Sequence, residues 1–189
     1  MTPGAIMIRT SLTDPLIIDE IRCAQGLIGL ALCPGMAGGD DEGVWRRDLE
    51  ADMLLISQWR PDEVVSLMED QELADLGVAR LGESVTRRGL GWRKLPLLDG
   101  HGPDHRFERA WSAAGPALRR ILKGGGKVLL HCRDGRGRAG MVAARLLVET
   151  GCAPAQAIGL VRAARTGALG SVNQEAWVMN LIGPMADAG

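Results

Sequence analysis

The run His131-Cys132-Arg133-Asp134-Gly135-Arg136-Gly137-Arg138-Ala139-Gly140 places a cysteine and an arginine at the ends of a seven-residue segment rich in glycine. Glycines at 135, 137 and 140 let a backbone turn tightly and approach an anion closely. Backbone N–H groups of such a turn, followed by a helix N-terminus, can surround a phosphate and aim a thiolate at its phosphorus. A free thiol has a pKa of about 8.5, and helix N-termini and neighbouring cations lower it by several units. Cys132 is therefore expected to be a thiolate nucleophile. Arg138 carries the planar fork that matches two phosphate oxygens at once. His131 is expected to hydrogen-bond the loop backbone and help hold the thiolate. Arg133, Asp134, Gly135, Arg136 and Gly137 form the loop between, and its two arginines add positive charge where a substrate would lie.

A Cys followed six positions later by Arg can arise by chance, so the flanking elements decide its weight. Apolar Val128-Leu129-Leu130 leads in as a short buried strand, read over Lys127 to His131 after the Gly124-Gly125-Gly126 break. Arg138 to Thr150 follows as a helix closed by Gly151, with Val142, Ala143, Leu146 and Leu147 on one broad apolar stripe. None of the other three cysteines has an arginine six positions on.

Upstream, Leu16 to Arg22 and Leu27 to Leu32 read as a hairpin. Cys33 to Gly43, with Pro34 and four glycines, reads as a loop. Arg46 to Gln58 is expected to be a helix and Glu63 to Met68 a buried strand. Gln71 to Leu76 and Arg80 to Arg88 are expected short helices. Trp92 to Leu98 reads as a strand, with Pro96 pointing to a sheet edge or strand end. Arg106 to Lys123 is a helix that Pro116 could kink, and Pro154 to Ala164 and Asn173 to Ile182 supply two more. Strands alternating with helices predict an α/β sandwich with a small, mostly parallel central sheet flanked by helices. Residues 1–15 are expected to be a loose lead-in and residues 16–185 a single domain.

Composition narrows the class. At 189 residues, 46% apolar and 24% charged, the chain suits one well-buried domain. A net charge of −1 gives no general attraction to nucleic acid or anionic membrane, so anion binding must come from local patches. Four cysteines, at 23, 33, 132 and 152, form no CxxC pair and no zinc-like spacing. His101 and His105 are four apart, but Pro103 between them and the lack of a third ligand argue against a metal site. No signal peptide or membrane span is read, and a cytoplasmic, thiol-reducing setting is expected.

His-Cys-x-x-Gly-x-x-Arg between a strand and a helix resembles the signature of the protein tyrosine and dual-specificity phosphatases. Leu95-Pro96-Leu97-Leu98-Asp99-Gly100, with Pro103-Asp104, is similar to the general-acid loop of the cyclin-dependent-kinase-associated phosphatases, and Leu27 to Gly35 resembles that group's early strand and loop. The resemblance covers roughly residues 25–182. It implies the dual-specificity phosphatase fold and phosphomonoester hydrolysis through a phospho-cysteine, without metal or organic cofactor.

Cleavage of a phosphate ester is helped by a proton for the leaving oxygen. Asp99, entering a glycine-flanked loop, resembles the family's acid. Asp104 precedes the helix that carries Trp111 and suits an N-cap, although it remains the other candidate. Gln174 resembles the second of two glutamines that orient the attacking water in relatives, the first position here being Gly170. Many relatives carry Ser or Thr after the arginine, where this chain has Ala139, and a slower second step is expected. Phosphoprotein is the substrate the resemblance favours, with phosphotyrosine and phosphoserine/threonine both open. Arg133 and Arg136 leave a phosphoinositide or inositol phosphate as the alternative. A phosphate-binding module without turnover and a sulfurtransferase are the rivals of other classes. The sequence leaves the oligomeric state open.

Overall fold

The computed structural model describes residues 8–40 and 43–182. Five strands form the main sheet: β2 (Asp19–Cys23), β3 (Gly26–Ala31), β6 (Glu63–Ser66), β7 (Gly91–Lys94) and β8 (Lys127–His131), in the order β2-β3-β8-β6-β7. Only β2 is antiparallel to its neighbour; β3, β8, β6 and β7 run parallel. Val128, Leu129 and Leu130 are all fully buried, so both faces of central β8 are covered, as parallel sheets require. Helix α4 (His105–Lys123) and helix α5 (Gly137–Glu149) pack on β3 and β8. Helix α6 (Pro154–Ala164) packs on β2, and α7 (Val172–Met179) on α5 and α6. Toward the other edge, α3 (Leu81–Thr86) lies against β7 and meets α1 (Leu49–Trp59), while short α2 (Asp70–Asp75) follows β6. One apolar cluster runs from Leu16 to Val178. This is the expected α/β sandwich with its small, mostly parallel sheet.

A second sheet was not expected. Ile8–Arg9 forms β1, and Ala37–Asp40 (β4) with Gly43–Arg46 (β5) forms a hairpin, in the order β1-β5-β4. The glycines that made residues 33–43 read as loop serve the hairpin instead: Gly38, opposite Trp45, and Gly43, opposite Asp40, take positive φ. Part of the expected loose lead-in is thus strand, since Ile8–Arg9 pairs parallel with β5. Residues 1–7 and the expected end of the domain at 183–185 lie outside the described residues. Because Arg46 belongs to β5, helix α1 starts later than expected, at Leu49. Its N-cap is Asp48, which accepts the Ala51 N–H.

Arg47 and Asp52 make a doubly hydrogen-bonded ion pair, Nε to Oδ2 at 2.7 Å and Nη2 to Oδ1 at 2.8 Å, with both side chains fully buried. Asp52 Oδ2 also accepts the Gly35 N–H, and Arg47 donates to the carbonyl of Asp14. The pair thus ties α1 to the turn after β3 and to the N-terminal segment. Removing one partner of a buried pair of this kind costs about 3–5 kcal/mol, because the other charge is left uncompensated. Trp92 to Leu98 is strand only to Lys94; β7 is the sheet edge, and Pro96 lies beyond its end. Helix α4 runs without interruption through Pro116.

Candidate active site

β8 delivers Cys132 at the C-terminal end of the central strand, and α5 begins five residues later with Arg136 as its N-cap. The side chain of Arg136 makes no cap bond and the first turn of α5 holds no acidic residue, so the helix's leading amides are left to an anion. Gly135 has φ +74°, and a Cβ there would stand 2.5 Å from the carbonyl oxygen of Ala31, so only glycine fits. The segment after β3 supports the loop from below, where the Cys33 N–H donates to the carbonyl of Arg133 at 3.0 Å. Arg133 in turn reaches over to the β4–β5 hairpin and donates to the carbonyl of Gly39. Arg165, from the end of α6, donates to the carbonyl of Asp134 at 2.6 Å and to Asp19 at 2.6 Å.

Arg138 is 1% exposed and is held by three groups. Its Nη1 donates to both carboxylate oxygens of Glu72 and to the carbonyl of Leu97. Asp99 Oδ1 lies 3.3 Å from Nε, an ion pair without hydrogen-bond geometry, and the Asp99 side chain is 73% exposed. Asp99 therefore has the freedom of a loop residue beside a fixed guanidinium. Asp104 is committed elsewhere: its Oδ1 accepts the N–H groups of Arg106 and Phe107 and caps α4. These bonds and the neighbouring Arg106 hold its carboxyl below the ordinary value.

Cys132 departs from expectation. Burial and the Asp134 carboxylate push its thiol above the ordinary value, against the charge of Arg138 and the amides of Ala139 and Gly135, which pull it down. The helix and arginine effects are present, as the sequence suggested. They are outweighed here by a side chain that is 1% exposed and by an acidic neighbour. His131 stacks on Trp92, and its contact with the loop backbone, at Cys132, falls short of full hydrogen-bond geometry among the described residues. Burial lowers its pKa to about 4.

A cavity of about 580 Å³ opens over the loop, bordered by Asp99, Arg133, Asp134, Arg136, Gly137 and Gln174. Gln174 approaches the loop closely: its Nε2 lies 2.7 Å from where a Cβ on Gly137 would stand. Sequence reasoning missed four contributors. Arg9 and Trp45 of the small sheet and Arg165 also line the cavity, and Glu72 fixes Arg138. Trp45 packs and also forms cavity wall, with the guanidinium carbons of Arg9 and Arg47 5.1 and 5.6 Å from its ring centre. Glu72 was hidden because a Glu in the first turn of a helix reads as a capping residue, which it also is, accepting the Glu69 N–H. The four cysteines are free thiols; Cys33 lies near Cys132, and Cys152 near Cys23. Among the described residues, no three His, Cys, Asp or Glu gather as a metal site.

A buried cysteine at the end of a central parallel strand, an arginine opening the next helix and an acid at the rim define a cysteine-based phosphatase. Comparison with known proteins gives the same class. Residues 46–178 match the model described as "Swiss Army Knife protein, DSP-PTPase phosphatase domain", and the chain belongs to that family. It is 29% identical over 162 residues to cyclin-dependent kinase inhibitor 3 of Rattus norvegicus, covering 84% of this chain and 73% of the relative. The Mus musculus protein of the same name is 28% identical over 161 residues, covering 84% and 72%. Among solved structures, the kinase-associated phosphatase with its catalytic cysteine replaced by serine superposes with a TM-score of 0.76 at 25% identity, over 86% of this chain and 92% of that one. The fold is shared with Tk-PTP in its active form, with a TM-score of 0.61 at 24% identity over 80% and 88% of the two chains.

Proposed function

We propose that this chain hydrolyses phosphomonoesters on phosphotyrosine, phosphoserine or phosphothreonine proteins by two displacements at Cys132. The thiolate attacks phosphorus in line while Arg138 and the loop amides hold the non-bridging oxygens. Asp99 protonates the leaving oxygen, and the alcohol departs from a phospho-cysteine. Water, its proton taken by Asp99 and its position set by Gln174, then releases phosphate and restores the thiolate. The observation that carries this reading is Asp99 3.3 Å from Arg138, at the rim of a cavity floored by Arg133, Asp134, Arg136 and Gly137 of the loop that Cys132 and Arg138 bracket. Protein substrates are supported by the relatives, two of which are named for cyclin-dependent kinases and one as a kinase-associated phosphatase.

A second reading has its own observation. Arg9, Arg133, Arg136 and Arg165 all border the cavity, against the two acids Asp99 and Asp134, and this excess of cations suits an inositol phosphate or phosphoinositide. Hydrolysis of para-nitrophenyl phosphate without added metal, compared between the wild type and Cys132→Ser, tests the chemistry. Release of phosphate from phosphopeptides and not from inositol phosphates favours the first reading, and the reverse favours the second. A wild type inert toward all of these, or a serine variant equally active, overturns the enzyme reading. A cytoplasmic, reducing setting is proposed on the same chemistry, since a nucleophilic thiol persists where disulfides do not form.

A further inference from the structure

We infer that Asp134 is a positioning residue that acts as an internal counter-anion of the phosphate loop, holding the nucleophile and one loop amide until a phosphoryl group displaces its carboxylate. This rests on the reading above that the loop of residues 132–138 receives the phosphoryl group. One carboxylate oxygen makes both contacts: Oδ1 accepts the Arg136 N–H at 3.0 Å and lies 3.5 Å from Cys132 Sγ, which donates to it. An amide of this loop and the nucleophile are the two partners a bound phosphoryl group needs. The carboxylate and the phosphoryl oxygens therefore compete for the same partners and repel each other.

The backbone around Asp134 cannot supply the movement. Its own carbonyl is fixed by Arg165, itself braced by Asp19, and the preceding carbonyl of Arg133 is fixed by the Cys33 amide. Gly135, the next residue, is pressed against the Ala31 backbone. The Asp134 side chain is exposed, so rotation about its own bonds is the available freedom.

The charges around the thiol make this carboxylate count. On α5 stands Arg138, which draws the thiol toward ionisation, but Glu72 from α2 and Asp99 from the rim both face that guanidinium and offset its field. On β8, His131 is uncharged at neutral pH, and the segment after β3 contributes the Cys33 thiol, itself pushed up by burial. Arg133, Arg136 and Arg165 border the cavity outside the thiol, where Arg138 is the cation that lowers the Cys132 pKa, so the Asp134 carboxylate beside Sγ opposes thiolate formation and anion binding together.

The test reads the thiol directly. Alkylation of Cys132 by iodoacetamide, located by mass spectrometry, is followed against pH in the wild type, Asp134→Asn, Asp134→Ala and Glu83→Gln. The last removes the same charge from the distant surface helix α3. Both Asp134 variants are expected to shift the alkylation midpoint down by about one pH unit or more, and Glu83→Gln is expected to leave it in place. Inorganic phosphate is expected to protect Cys132 of Asp134→Ala at a concentration several-fold below that needed for the wild type. A midpoint common to all four proteins, or equal protection by phosphate, overturns the inference. Failure of phosphate to protect Cys132 in any of them overturns the phosphatase reading itself, and the alkylation midpoints distinguish the two failures.

Discussion

Arg138 Nη1 faces both carboxylate oxygens of Glu72, at 2.9 and 2.8 Å, so the guanidinium that opens α5 is clamped by the helix following the neighbouring strand. The clamp works because β6 lies beside β8 in the sheet, which brings α2 to the edge of the loop. A guanidinium held in one orientation can present its remaining N–H groups to phosphate without losing side-chain freedom on binding.

Glu72→Gln keeps the size of the side chain and removes the charge that holds Arg138. Activity should fall by about 100-fold in kcat/KM, the scale of a small misplacement of a catalytic group. Because Arg138 keeps the Leu97 carbonyl and Asp99, and the glutamine can still accept from it, the melting temperature should fall by less than loss of a buried partner would cause. Steady-state kinetics and thermal unfolding on the same samples check this. Activity and stability falling in proportion would mean that the pair is structural only.

Asp99 and Asp104 are five residues apart and occupy different environments. Asp99→Asn removes the proton donor and should lower kcat by about 100-fold or more on a substrate with a poor leaving group. Asp104→Asn keeps the oxygen that caps α4 and should leave kcat nearly unchanged, whereas Asp104→Ala removes the cap and should lower the unfolding midpoint with kcat again nearly unchanged. The opposite pattern would reassign the acid to Asp104.

Ala139 is fully buried directly after Arg138, and its amide points toward Cys132. A hydroxyl at this position can donate to the departing thiolate when phospho-cysteine breaks down. Ala139→Ser should therefore speed that step and shrink the pre-steady-state burst relative to the steady rate. Rapid-quench measurement of phospho-enzyme decay decides it, and equal decay rates in the two proteins would remove the role assigned to the hydroxyl.

What the sequence disclosed follows from the range of the forces involved. The β8–loop–α5 unit was legible because its signals are local: an apolar strand, glycines, and a helix stripe within a few dozen residues. The main sheet was legible for the same reason. The β4–β5 hairpin was not, because glycine marks both loops and tight hairpins, and β1 with only Ile8 and Arg9 carries no periodicity. Site members from afar were illegible in principle. Glu72 meets Arg138 across 66 residues and Arg165 meets Asp134 across 31, and nothing local distinguishes these side chains from surface ones. The pull of burial on Cys132 was illegible, because burial, which opposes the helix and the arginine, appears only once the chain is folded.

His131 gives the fold a defined response to acid. Its ring is fully buried against Trp92, and burial, outweighing a contact with the Cys132 backbone, holds its pKa at about 4 instead of the ordinary 6.5. The unfolded chain binds a proton at this residue as pH falls through 6.5, whereas the folded chain resists until about 4. Between these values the unfolded state carries more protons, so stability rises with pH across the window and is lost as pH falls. The full contribution is present above 6.5, and its loss between about pH 7 and about pH 5 should be on the order of 2 kcal/mol. Urea unfolding at these two pH values, for the wild type and His131→Asn, isolates the effect, because asparagine cannot titrate. The variant should start less stable and lose less on acidification, whereas identical losses would show that the folded protein protonates His131 without penalty.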